Sequence, residues 1–166
     1  MDLMFAFDSG VPARIQHFLK VYAFAKQIGA EEGLDDDTME ILGAAALVHD
    51  IGIRIAEEKY GSSIGKYQEL EGPAEVEKML PQAGYSPEVI KRVSYLVGHH
   101  HTYTDIDGLD YQILVEADFL VNLFENGMKR TGIWNAYRKI FRTETGKKIC
   151  RYMFALEEDE EAFENE

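Results

Sequence analysis

The segment YQILVEADFLVNLF, residues 111–124, decides the fold class of this chain. Its apolar residues cover most of the circumference of a helix, which predicts a largely buried helix over residues 109–125. Asp118 shares a face of this helix with Leu114 and Val121. Because an ionised carboxylate is costly on such a face, we expect Asp118 to form a buried salt bridge or an interhelical hydrogen bond, or to bind a metal ion.

Helical patterns continue on both sides of this segment. Pro12 suits a first helical turn, residues 35–37 offer N-caps, and Ser86-Pro87 begins another helix. Glycines and serines within residues 52–63 mark a loop, and Gly72-Pro73 is a point where a helix can break or restart. The other predicted helices span residues 12–27, 38–49, 66–80, 87–101, 133–141 and 145–156. No stretch alternates as a strand does, so the sequence predicts an all-α bundle of about six to eight helices.

Composition and charge restrict the function classes. The 166 residues are 46% hydrophobic and 28% charged, which is typical of one globular domain, expected here over residues 1–156. Residues 157–166 are strongly acidic and predict a disordered tail. A net charge of −13 without a basic stripe disfavours binding of a nucleic-acid polymer. A small phosphorylated substrate stays compatible with this charge, because a metal ion can supply the positive charge.

Cysteine content and apolar runs bear on location. The single cysteine, Cys150, allows neither an internal disulfide nor a cysteine-based zinc site. The first ten residues lack the pattern of a secretory signal, and no apolar run has the length of a membrane span. We therefore expect a cytoplasmic protein without a membrane partner, and we leave open whether it forms an oligomer.

The five histidines fall in three places, each at an expected inward face or helix end. His17 lies on the apolar face of the first predicted helix. His49-Asp50 closes the second, after the small apolar run 43–48 that lets the helix approach its neighbours closely. His100 continues an apolar face of the fourth helix, and His99 lies beside it. The alternatives are a hydrogen-bonded core histidine at 17, a capping role for Asp50, and solvated histidines within 99–101.

Together these residues offer imidazole nitrogens and carboxylate oxygens. Such a mixture suits manganese, iron(II), nickel, zinc or magnesium. Several histidines without a thiolate favour a transition metal over calcium. Each histidine taken alone is weak evidence, and the interpretation depends on their combination with Asp50 and Asp118.

Four segments in order resemble the HD-domain superfamily of metal-dependent phosphohydrolases, over roughly residues 11 to 125. They are residues 14–21 around His17, 46–52 around His49-Asp50, 97–101 with the three histidines, and 115–120 around Asp118. The resemblance implies a helical bundle in which one metal ion is bound by His17, His49, Asp50 and Asp118. It further implies that His99 and His100 bind a second metal ion or contact the phosphate, with the register inside His99-His100-His101 left ambiguous.

The sequence departs from the family pattern at two positions. Gln68 stands where many members have a second-site histidine, and Glu69 or Glu71 are the candidate substitutes. Ile53 stands where many members have a lysine soon after the His-Asp pair. Candidate phosphate contacts elsewhere are Lys66 and Arg142, although a solvated lysine and a helix-cap arginine are the favoured interpretations of these two.

The resemblance implies hydrolysis of a small phosphate ester such as a nucleotide. Asp50 would ligate the metal ion and orient or deprotonate a water molecule, and His99 or His100 would stabilise charge or assist the leaving oxygen. One alternative is a non-catalytic metal- or nucleotide-binding regulatory module, which the departures at Gln68 and Ile53 support. A di-iron oxygenase of the same fold is a third hypothesis, disfavoured by the missing histidine at position 68.

Overall fold

The computed structural model describes residues 1–157, which form an all-α domain, as predicted. The described part of the chain contains nine α-helices and one short 3₁₀-helix, Leu80–Ala83. In chain order the helices are α1 (Asp2–Phe7), α2 (Pro12–Glu31), α3 (Asp36–Val48), α4 (Gly52–Tyr60), α5 (Gly65–Met79), α6 (Pro87–Val97), α7 (Leu109–Glu125), α8 (Arg130–Lys139) and α9 (Glu144–Phe154). The acidic tail predicted over residues 157–166 lies outside the described residues, except for Glu157.

Local capping residues begin several helices where the sequence predicts them. Asp35 accepts a hydrogen bond from the Thr38 backbone N–H at 2.7 Å and so caps α3. Ser86 caps α6 in the same way through Val89. Each cap satisfies an N–H group that has no partner within its own helix.

One segment predicted as irregular is helical instead. The expected loop over residues 52–63 is largely replaced by α4, which is followed by Gly61 with a left-handed φ of 63°. Helix α5 runs through Gly72-Pro73, the point where a helix can break or restart, and so agrees with the helix expected over residues 66–80. A Cβ atom on Gly52 would lie 2.5 Å from the Gln68 carbonyl oxygen, so α4 begins in direct backbone contact with α5. Arg54 and Glu58 pair at 3.1 Å with the i,i+4 spacing of a helix, a local signal for α4 that the loop prediction missed.

Helix α7 lies in the core and packs against α2 and α3, while α5 and α6 complete the other side of the bundle. The small residues of α3 are buried, which allows the close approach expected for this helix. As a result, the second turn of α2, the end of α3 and the middle of α7 meet in one region. Among residues 1–157, no helix combines the length and apolar character that a bilayer crossing demands.

Candidate metal centre

His17 and His49 each lie within 3.5 Å of the other three predicted metal ligands. His17 comes from the second turn of α2, His49 and Asp50 follow the end of α3, and Asp118 comes from α7. The His17 Nε2 atom lies 3.1 Å from both His49 Nε2 and Asp118 Oδ1. Asp50 Oδ2 lies 3.4 Å from His17 Nε2 and 3.5 Å from His49 Nε2. Segments far apart in sequence thus converge on one small volume.

This cluster is closed on the core side and open on one other side. His49 is fully buried, and Asp118 and His17 are nearly so. The Asp50 side chain, by contrast, remains 24% exposed. A small molecule would therefore reach the cluster past Asp50.

The hydrogen bond at Nδ1 sets the ring orientation of His49 and of His17. His49 Nδ1 lies 2.9 Å from the Ala46 carbonyl oxygen, so the N–H group of the neutral ring belongs at Nδ1. His17 Nδ1 lies 2.8 Å from the Glu125 carboxylate and carries its N–H for the same reason. Both Nε2 atoms consequently present lone pairs to the space that they share with Asp118.

These atoms fit a bound cation. Neutral imidazole nitrogens and carboxylate oxygens are all acceptors, so their separations of 3.1–3.5 Å are stable only when a cation or a proton lies among them. Burial opposes the charged form of His49, yet the charges of Asp50 and Asp118 raise its pKa to about 9. The pKa of Asp118 is lowered in spite of burial, because His17 and His49, when protonated at Nε2, donate to it and face it with positive charge. His17, His49 and Asp50 could hold a divalent metal ion, and Asp118 Oδ1 lies beside them at 3.1 Å from His17 Nε2.

A second set of potential ligands shares Asp50 with the first. His100 Nε2 lies 3.5 Å from Asp50 Oδ1, and His101 lies within ligand range of both residues. The Nε2 atoms of His100 and His101 are buried and have no hydrogen-bond partner among the described residues. Burial and the neighbouring His100 lower the pKa of His101 to about 4, which leaves its ring neutral and able to coordinate.

His99, predicted as one of two candidate catalytic histidines, lies elsewhere. Its Nδ1 atom lies 2.7 Å from the Tyr95 carbonyl oxygen, and its ring stacks on the Tyr95 ring with centroids 4.2 Å apart. Because the chain turns after α6, His100 and His101 face the cluster instead. In this structure His100 and His101, rather than His99, lie beside Asp50.

The candidate second-site residues on α5 have hydrogen-bond partners outside the four predicted ligands. Gln68 is buried and donates from Nε2 to the Ser63 carbonyl oxygen at 2.7 Å. Glu71 accepts hydrogen bonds from Lys59 Nζ and the Tyr60 hydroxyl. Glu69 accepts from the His101 backbone N–H at 3.0 Å, so it supports the turn that carries the two histidines.

The two candidate phosphate contacts have different surroundings. The Lys66 side chain is exposed. The Arg142 guanidinium donates to the carbonyl oxygens of Arg138, Lys139 and Phe141 and thus caps the end of α8. The helix-cap interpretation of Arg142 agrees with these contacts.

Two polar contacts of the site were missed from the sequence. Asn122 donates to Asp118 Oδ1 at 2.7 Å, and Glu125 contacts His17. Their spacing from Asp118, four and seven residues along α7, places all three on one helical face. That spacing was a readable signal, because it puts further polar residues beside a buried acid.

Comparison with known proteins agrees with this geometry. The family model of the HD domain matches residues 14–132. A crystal structure from an uncultured Thermotogales bacterium, described as a predicted HD superfamily hydrolase, is 26% identical and superposes with a TM-score of 0.64. The match covers 99% of this chain and 92% of that one. Comparison with curated proteins finds no significant match.

Proposed function

The chain belongs to the HD domain family, and we propose that it is a metal-dependent phosphohydrolase acting on a small phosphate ester such as a nucleotide. The observation that carries this proposal is the convergence of two imidazole lone pairs with the carboxylates of Asp50 and Asp118. The structural relative from the Thermotogales bacterium, described as a predicted hydrolase, supports the same reaction class.

Asp118, His17 and His49 would hold the ion from the buried side. Asn122 donates to Asp118 and so fixes the orientation of that carboxylate. A divalent ion bound there would supply positive charge to a phosphate oxygen and lower the pKa of a water molecule. Manganese, iron(II), nickel, zinc and magnesium are compatible with the nitrogen and oxygen donors.

Asp50 and His100 would handle the proton on the open side. Asp50 is partly exposed, and it can orient a water molecule and accept its proton. His100 donates from Nδ1 to the Val97 carbonyl oxygen at 2.8 Å, which leaves an acceptor at Nε2 beside Asp50. A proton taken up at this nitrogen could pass to the leaving oxygen, which makes His100 rather than His99 the candidate acid. If a second ion binds, His100 and His101 are its candidate ligands instead.

The substrate proposed is small because the positive charge is local. The acidic chain offers no basic stripe for a polynucleotide, whereas one or two ions at the cluster can neutralise a single phosphate group. A cytoplasmic location and a single domain over residues 1–156 remain part of the proposal.

A direct test begins with protein purified without a metal-affinity step. Elemental analysis should find at least one equivalent of a transition metal or magnesium. A panel of nucleoside monophosphates and a chromogenic phosphate ester should then be hydrolysed after addition of manganese, nickel or iron(II). Protein that binds none of these metals and hydrolyses none of these esters would refute the proposal.

Neighbouring histidines provide a matched pair of variants. His100→Gln should lower kcat at least 100-fold, whereas His99→Gln should stay within a few-fold of the wild-type value.

Metal binding without turnover of any ester would favour a non-catalytic binding module. An iron-dependent absorbance in anaerobically purified protein would favour an oxygenase.

A further inference from the structure

The histidines of the cluster are oriented by two different kinds of acceptor. His49 and His100 each lie at the end of a helix and donate from Nδ1 to a backbone carbonyl oxygen three residues earlier. Backbone carbonyls are uncharged and fixed by the helix. His17 Nδ1 instead contacts the Glu125 carboxylate at 2.8 Å, across 108 residues of sequence.

The position of His17 explains this difference. His17 lies inside α2, in its second turn, where the nearby carbonyl oxygens already accept hydrogen bonds of the helix. Its ring therefore needs an acceptor from another element. Glu125 is the last residue of α7, and it reaches across to the α2 face that carries His17.

Glu125 is itself held at its other oxygen. Lys20 Nζ lies 2.6 Å from Glu125 Oε1, while Oε2 faces His17. Lys20 lies three residues after His17 and therefore on the same face of α2. The ion pair fixes the carboxylate, and the carboxylate in turn fixes the imidazole.

We propose that Glu125, held by Lys20, is a positioning residue that orients His17 and strengthens it as a ligand of the divalent ion. A carboxylate that accepts the second N–H of a metal-binding imidazole raises the basicity of the ring and fixes its rotation. This inference rests on the metal site of the proposed function. It does not require any particular substrate.

The test measures metal affinity rather than turnover. Metal-free wild-type protein, Glu125→Ala and Glu125→Gln are titrated with Mn²⁺ in competition with a chromophoric chelator. Glu125→Ala should weaken binding by about 10- to 100-fold. Glu125→Gln should fall between it and the wild type, because an amide oxygen accepts the hydrogen bond without the charge. The visible spectrum of bound Co²⁺ should shift in both variants, which a merely structural role would not produce.

Glu57→Gln is the matched control. Glu57 forms an ion pair at 2.5 Å with Arg14, which lies on the same helix as His17. Glu57 is not one of the candidate ligands. Its Mn²⁺ affinity should stay within about twofold of the wild type.

Each outcome decides between the inference and the proposed function. Wild-type affinity in Glu125→Ala, or in Glu125→Gln if the alanine variant does not fold, overturns the inference and leaves the metal site intact. A wild-type protein that does not bind Mn²⁺, Co²⁺ or Zn²⁺ overturns the metal site of the proposed function itself.

Discussion

Helix α7 carries three buried acids, and two of them, Glu116 and Asp118, point about 200° apart around the helix axis. Glu116 is fully buried and accepts hydrogen bonds from the backbone N–H groups of Arg142 and Thr143, at 2.6 and 2.9 Å. Its carboxylate also accepts from the Thr143 hydroxyl and the Gln112 amide. Each of these groups donates a hydrogen bond. The Glu116 carboxylate is therefore stabilised mainly by the turn between α8 and α9.

Asp118 has a different set of neighbours. One amide, that of Asn122, donates to it, and the other close atoms are the Nε2 atoms of His17 and His49. Those nitrogens cannot donate in the neutral ring, so Asp118 requires a cation or a proton where Glu116 does not. The comparison teaches that burial of an acid does not identify a metal site. What identifies it is a lack of donors around the carboxylate.

The largest expected effect is on metal binding. The same change, from carboxylate to amide, is made at each of the two acids. Asp118→Asn should weaken Mn²⁺ binding at least about 100-fold and abolish hydrolysis of phosphate esters, because a ligand loses its charge. Glu116→Gln should bind Mn²⁺ within about twofold of the wild type. Isothermal titration of both metal-free variants makes the comparison, and equal affinities would remove the distinction drawn here.

The next effect is on the stability of the fold, which we expect to depend on Glu116. Glu116→Ala should lower the free energy of unfolding by about 3 kcal/mol, because two backbone N–H groups lose their acceptor. Gly146→Ala offers an independent route, since its Cβ atom would lie 1.9 Å from Glu116 Oε2. Urea unfolding of the metal-free protein measures both losses. Unchanged stability in both variants would show that the turn does not depend on Glu116.

Because the atoms around Asp118 require a proton or a cation, the stability of the metal-free protein should depend on pH. The pKa of His49 is raised to about 9, so its proton stabilises the metal-free fold fully below about pH 6.5. This stabilisation, up to about 3 kcal/mol, should be lost as the pH rises through 9. Urea unfolding in the presence of a chelator measures it, and bound metal should flatten the profile. A flat profile without metal would contradict the expected proton.

The smallest effect concerns Arg142, whose backbone N–H binds Glu116 while its guanidinium caps α8. Arg142→Ala should lower the free energy of unfolding by about 1 kcal/mol or less, and KM for a phosphate ester should not change. Steady-state kinetics provides the measurement. A severalfold rise in KM would restore Arg142 as a phosphate contact.

Much of the fold was predictable because its signals are local. The helical period of residues 109–125 and the caps at Asp35 and Ser86 depend on neighbouring residues alone. The α4 helix was missed because the glycines and serines at 52 and 61–63 favour a loop, although Arg54 and Glu58 have the i,i+4 spacing of a helix. Its close backbone contact with α5 at Gly52 is tertiary and has no signal in the sequence.

The site was predictable to the level of residue type and order. Periodicity placed Asp118 and His17 on inward faces, and the family resemblance assigned them as ligands. The choice among His99, His100 and His101 depends on how the chain turns after α6, which is not encoded in helical period. Likewise, only their partners on other segments distinguish Glu69 from Glu71. Glu69 accepts from the His101 backbone, and Glu71 accepts from the Tyr60 hydroxyl.

The sequence by itself therefore determined an all-α domain of the HD family and the order of its histidine and aspartate residues. The tertiary structure alone decided which buried acid lacks donors and which histidine lies next to Asp50. It also decided that Glu125 meets His17 across 108 residues. The physical reason is one of range: helical period and capping act over a few residues, whereas hydrogen-bond satisfaction of a buried charge depends on whatever distant segment packs against it.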